Sequence, residues 1–149
     1  MRPRSRDSAS TGAAAPAARL APVPAPGDES DLTPLEQARR IAGLAQEKLA
    51  QDVVILDMRP VCTYTDYFVI CTGQNPRQTK AIHDEVHARL KHDGRTLPRS
   101  VEGERESSWI VADYLDVVLH VFTPETRRYY RLEELWSDVP SVAVEAASA

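Results

Sequence analysis

Residues 102–136 read EGERESSWIVADYLDVVLHVFTPETRRYYRLEELW, and the reading of this stretch decides the fold. Residues 109–114 (WIVADY) and 117–122 (VVLHVF) are apolar, β-branched runs of strand length, parted by Leu115-Asp116. Two such runs joined by so short a connection predict an antiparallel hairpin. Thr123-Pro124 then supplies a cap and a first-turn proline for a helix expected to run to Leu135-Trp136, with Tyr129, Leu132 and Trp136 along one side. A strand alternates its faces every two residues, so Trp109, Val111 and Asp113 share one face of the first run. His120 shares a face with Val118 and Phe122 on the second. Acids and aromatics are present at these positions, but no nucleophile accompanies them. The stretch therefore reads as a docking surface rather than an active site.

Working outward, residues 67–72 (YFVICT) form a second strand segment, apolar almost throughout and so expected at the centre of a sheet. Residues 53–58 give another strand, broken by Pro60. Thr33-Pro34-Leu35-Glu36 is a capping box that opens a first helix, expected to end near Gln51. Asn75-Pro76 opens a second helix, with Ile82, Val86 and Leu90 stacked on one side and Gly94 as its stop. Pro98 confines any strand near residues 95–103 to an edge. The order α-β-β-α-(β)-β-β-α predicts an α/β fold, a mixed sheet sandwiched by helices. Residues 1–31 are rich in Ala, Pro, Ser and Arg and are expected to be a disordered tail. Residues 32–138 form the domain, and residues 139–149 a flexible C-terminal tail.

The formal net charge is -4, and all of it falls after residue 32, where 14 basic residues face 18 acidic ones. That balance argues against bulk nucleic-acid binding, which draws its affinity from neutralised phosphates. It suits a basic protein partner. No apolar run approaches the ~20 residues of a membrane span. The two cysteines, Cys62 and Cys71, lack CxxC spacing, which is consistent with a reducing, cytoplasmic setting. Import into an organelle through the Arg/Ser-containing N-terminal stretch is the alternative.

Phosphate-loop, dinucleotide-fold, zinc-protease and nucleophile-elbow motifs are all missing from the sequence. His83 and His87, one helical turn apart, could face one metal ion, but Asp84 and Glu85 beside them suggest a solvated helix face. Asp113 and Asp116 flank the hairpin turn, where they could cap turn amides, meet a partner or hold magnesium. Trp109 has two readings, an exposed anchor or a ring packed beneath the third helix. No cofactor and no metal is expected.

The chain resembles the ribosomal silencing factor (RsfS/Iojap) family over about residues 35–137. The resemblance rests on DVVILDM (52–58), TDYFVICTG (65–73), RQTKAIHDEV (77–86), Glu102-Gly103 followed by five residues and Trp109, then Asp113, Asp116, His120, Phe122 and YYRLEELW (129–136). Two departures stand out. Gln74-Asn75-Pro76 follows Thr72-Gly73 where the family commonly has TG-x-S, and Leu115 stands where a hairpin glycine is common. The resemblance implies a sheet related to the nucleotidyltransferase fold without catalytic residues. It implies binding to large-subunit ribosomal protein fourteen, steric block of small-subunit joining, repression of translation when nutrients are limiting, a part in large-subunit assembly, and homodimers. The residues it points to are Trp109, Val111, Asp113, Asp116, His120 and Tyr130. The alternatives are a diverged nucleotidyltransferase using Asp113 and Asp116 with magnesium, or a homodimeric module with another partner.

Overall fold

In the computed structural model, residues 32–144 are described, so the expected N-terminal tail lies outside the described residues. The elements are α1 (Pro34–Glu47), β1 (Gln51–Asp57), β2 (Tyr67–Thr72), α2 (Pro76–Gly94), β3 (Ser100–Glu102), β4 (Trp109–Asp113), β5 (Val117–Phe122), α3 (Pro124–Tyr130), α4 (Leu132–Leu135) and β6 (Ser141–Val142). They build one mixed sheet of order β3-β4-β5-β2-β1-β6. Only β2 and β5 run parallel, and every other neighbouring pair is antiparallel. The expected hairpin is β4–β5, and the apolar β2 is central, buried at every position.

Local chemistry explains the helix starts. Thr33 accepts from the Glu36 amide while Glu36 accepts from the Thr33 amide, so two otherwise unpaired donors are satisfied at the head of α1. Asn75 accepts from the Gln78 amide at the head of α2. The two helices lay Ala38, Ile41, Ala42, Ile82, Val86 and Leu90 on one face of the sheet. On the opposite face, Leu56, Met58, Phe68, Ile70, Val118 and Phe122 form a second cluster, joined by Leu132 and Trp136. Helical cover is therefore uneven. α1 and α2 close the first face, whereas α3 and α4 cover only part of the second.

Four expectations need correction. α1 stops at Glu47, because Leu49 takes a left-handed backbone (φ 65) and cannot continue the helix. β1 begins earlier than expected, through a bulge at Gln51–Val54 in which Asp52 is also left-handed. The third helix is two short ones, split at left-handed Arg131 (φ 49). The break turns Tyr129 and Leu135 out to solvent, 80% and 70% exposed, while Leu132 and Trp136 keep their packing on the sheet. Finally, residues 139–142 are no tail. Val139 is buried in the second cluster, the Asp57 amide donates to the Pro140 carbonyl, and Ser141–Val142 pairs with β1 as the edge strand β6.

Placing a carboxylate in that second cluster would strand a charge in apolar surroundings. Val139→Asp is expected to lower stability by about 3 kcal/mol in urea unfolding. An unchanged midpoint would mean that the segment is not part of the fold.

Candidate functional site

The register of the sheet sets out the second face in rows. One row runs Ser100–Asp113–Val118–Phe68, the next Glu102–Val111–His120–Ile70, and the last Trp109–Phe122–Thr72. α3 and α4 cover the last row. There Arg127 Nη1 donates to Thr72 Oγ1 at 2.7 Å, and its Nε donates to Glu133 at 3.1 Å. At the centre of the other two rows, towards the hairpin end, Phe68, Ile70, Val118 and His120 are buried, while Ser100 and Glu102 on the edge strand are exposed.

Trp109 lies between its two sequence readings. Its ring is half-buried, stacked on Phe122 at 4.9 Å and tilted against Tyr130 at 4.7 Å. Tyr130 is itself 53% exposed and forms an edge-on pair with Tyr129, so the aromatic cluster runs from the sheet to the surface. Gly103 makes room for this arrangement. Its φ is +90, and a Cβ there would fall 1.9 Å from the Trp109 carbonyl oxygen, so the Glu102-Gly103 turn can press against the start of β4.

His120 is 6% exposed and sits edge-on to Phe68 at 4.6 Å. Trp109 Nε1–H donates to His120 Nδ1 at 3.1 Å, which requires the imidazole proton to be on Nε2. Burial disfavours the imidazolium and takes the His120 pKa down to about 4. Nε2 is buried and has no hydrogen-bond partner among the described residues.

The two hairpin acids have separate tasks. Asp113 accepts from the Leu115 amide at 2.8 Å and from Arg99 at 2.9 Å, so it caps the turn and ties it to the segment before β3. The cap holds Leu115 at φ 79, a left-handed position that favours glycine. Asp116 is exposed at the other side of the turn, and desolvation together with nearby Asp66 raises its carboxyl pKa. Trp109, Val111, Asp113, His120 and Tyr130 thus lie on or beside one sheet face, with Asp116 at its hairpin end.

Sequence reasoning misplaced His83. It is 2% exposed rather than solvated, and its Nε2 lies 3.2 Å from Glu104 in the β3–β4 connection. Burial lowers its pKa against the opposing pull of Glu104. A wider stripe (Thr79, Ile82, His83, Val86, Leu90) would have placed it inward. His83, Asp84 and Glu104 are the one group among the described residues that brings three His, Cys, Asp or Glu donor atoms within 4.8 Å. Lys80 Nζ already pairs with those acids, at 2.8 Å from Asp84 and 3.8 Å from Glu104. Cys71 is buried packing, its thiol pushed up to about 12 by desolvation. Among the described residues no helix is long and apolar enough to cross a membrane.

Comparison with known proteins places the chain in a family. The sequence model described as "Ribosomal silencing factor during starvation" matches residues 31–149. The chain belongs to the ribosomal silencing factor family. It is 38% identical over 99 residues to the ribosomal silencing factor RsfS of Bacillus subtilis, covering 66% of this chain and 83% of that protein. It is 34% identical over 127 residues to the mouse protein named mitochondrial assembly of ribosomal large subunit protein 1, covering 80% of this chain and 52% of that one. A crystal structure of a Chromobacterium violaceum protein superposes with a TM-score of 0.69 at 30% identity, covering 78% of this chain and 98% of the other.

The buried neutral histidine makes stability depend on pH. Its folded pKa lies below the ordinary value of 6.5, so its contribution is full above that value and is lost as pH falls towards about 4. The linkage amounts to about 3 kcal/mol. Urea titrations at pH 7 and pH 4.5 are expected to show a smaller pH-dependent loss in His120→Phe than in the unmutated chain. Equal losses in both would mean that His120 is not the titrating group.

Proposed function

We propose that this protein binds the large ribosomal subunit through ribosomal protein fourteen and sterically blocks joining of the small subunit, lowering translation when nutrients are limiting. The observation that supports the reading is the rim of this sheet face, where exposed and half-buried aromatic and acidic side chains gather, in a chain of the silencing-factor family. An aromatic anchor formed by Trp109 and Tyr130 stands at one end of it, and exposed acids (Glu102, Asp116) stand along its margin. Such a surface suits a basic protein, since the acids steer the encounter and the buried rings hold the complex. A part in large-subunit assembly and self-association as a homodimer belong to the same reading, as does a cytoplasmic location. The nucleotidyltransferase alternative gains no observation of its own, because Asp113 is already engaged by Leu115 and Arg99.

Substitution of Trp109 or Asp113 would disturb packing or the turn as well as a contact. Tyr130→Ala and Asp116→Lys alter exposed side chains and are the cleaner variants. Sedimentation with purified large subunits is expected to recover the unmutated chain at micromolar concentration. Each variant should bind about tenfold more weakly or worse, with unfolding midpoints close to that of the unmutated chain. An unmutated chain that stays in the supernatant refutes the reading.

A further inference from the structure

The tip of the β4–β5 hairpin carries a residue that its backbone disfavours. Leu115 stands at φ 79, and its side chain is 50% exposed. In this left-handed region a Cβ crowds the backbone, so glycine and asparagine adopt it at least cost. Leu115 therefore gives the fold neither an easy turn nor full apolar burial. The turn is held in spite of it. Asp113 Oδ1 accepts from the Leu115 amide, and the Tyr114 amide donates to the Val117 carbonyl, both at 2.8 Å. The Asp116 carbonyl accepts from the amides of Asp66 and Tyr67 at 3.0 and 3.1 Å. The tip is thus fixed to its own strands and to the β1–β2 connection, with Leu115 as a knob at its end.

Charge around the knob is one-sided. Asp116 is exposed and Asp66 half-buried, and neither has a cation at ion-pair distance among the described residues. The cations whose field reaches them are committed elsewhere, Arg59 to Asp57 at 2.7 Å and Arg99 to Asp113 at 2.9 Å. Desolvation, and then the charge of Asp66, raises the Asp116 carboxyl pKa. A cation brought from outside would relieve that repulsion. Tyr64, 60% exposed, adds apolar surface from the same β1–β2 connection. A strained, exposed apolar residue beside unneutralised acids gains its contacts outside the chain.

We propose that the hairpin tip is a docking point for a basic protein partner: Leu115 enters an apolar hollow of that partner, and a lysine or arginine beside the hollow pairs with Asp66 and Asp116. The inference rests on the proposed docking to a large-subunit protein and specifies what the hairpin end contributes. A nucleic acid is not the occupant, because the acids here would repel its phosphates.

The test uses the full chain and purified large subunits, with affinity read by titration and stability by thermal unfolding. Leu115→Gly and Leu115→Asn both suit the left-handed backbone and remove the apolar knob. Each is expected to unfold at or above the midpoint of the unmutated chain and yet to bind about fivefold more weakly or worse. A residue that only stabilised the turn would not separate the two readouts in this way. Asp66→Asn should bind more weakly at low salt and lose affinity less steeply as salt rises.

If the unmutated chain does not bind large subunits, the docking reading itself falls. If it binds, and both Leu115 variants bind within twofold of it, the inference is overturned while the docking reading stands. A loss in Leu115→Gly alone traces to a loosened turn and overturns it too, as does an unfolding midpoint lowered in both variants. An Asp66→Asn chain with unmutated affinity at every salt concentration overturns the pairing with a cation.

Discussion

Two strands, β2 and β5, lie side by side in parallel at the middle of the sheet, with all of their residues buried. Parallel neighbours cannot be joined by a tight turn, so the chain between them must cross over, and α2 is part of that crossover. Full burial also demands cover on both faces. α1 and α2 supply it on one side with a continuous apolar layer. On the other side the helices among the described residues are α3 and α4, of seven and four residues, too short to span the sheet. Val139, Cys62 and Trp136, from segments outside these two helices, pack into the same cluster and add to the cover.

His120 shows how a polar group is accommodated on such a strand. It is neutral, held by the indole of Trp109 from the neighbouring strand and flanked by Phe68 and Phe122. Trp109 in turn takes its position from the Glu102-Gly103 turn, which can come so close only because Gly103 lacks a side chain. A dependence therefore runs from a glycine turn to a tryptophan and on to a histidine tautomer. None of these residues needs to be a catalyst for the arrangement to be exacting.

What was legible in the sequence was local. The Thr33 capping box, the Asn75 cap, the apolar run of β2 and the two-residue connection of the hairpin are each written within a few adjacent residues, and each appears in the structure. What was missed depends on distant partners. His83 stands beside Asp84 and Glu85 in the chain, yet its burial is completed by Glu104. Residues 139–142 look like the start of a tail until β1 offers them an edge. The split at Arg131 leaves no glycine or proline to announce it, and the Arg127–Glu133 pair that braces the two helices spans six residues across the break. The candidate face itself was legible through the two-residue period of β4. The hollow beside it, lined by Tyr64, Ser100 and Val118, was not, because it needs Tyr64 and β3 to be brought alongside.

The most direct test of docking through this face is hydroxyl-radical footprinting of the full chain, free and bound to purified large subunits. Protection is expected at Tyr64 and Tyr130, the exposed rings beside it. His92, which is exposed near the end of α2, should label equally in both states. Protection confined to α1 and α2, with Tyr64 and Tyr130 labelled as in the free chain, would contradict docking through this face.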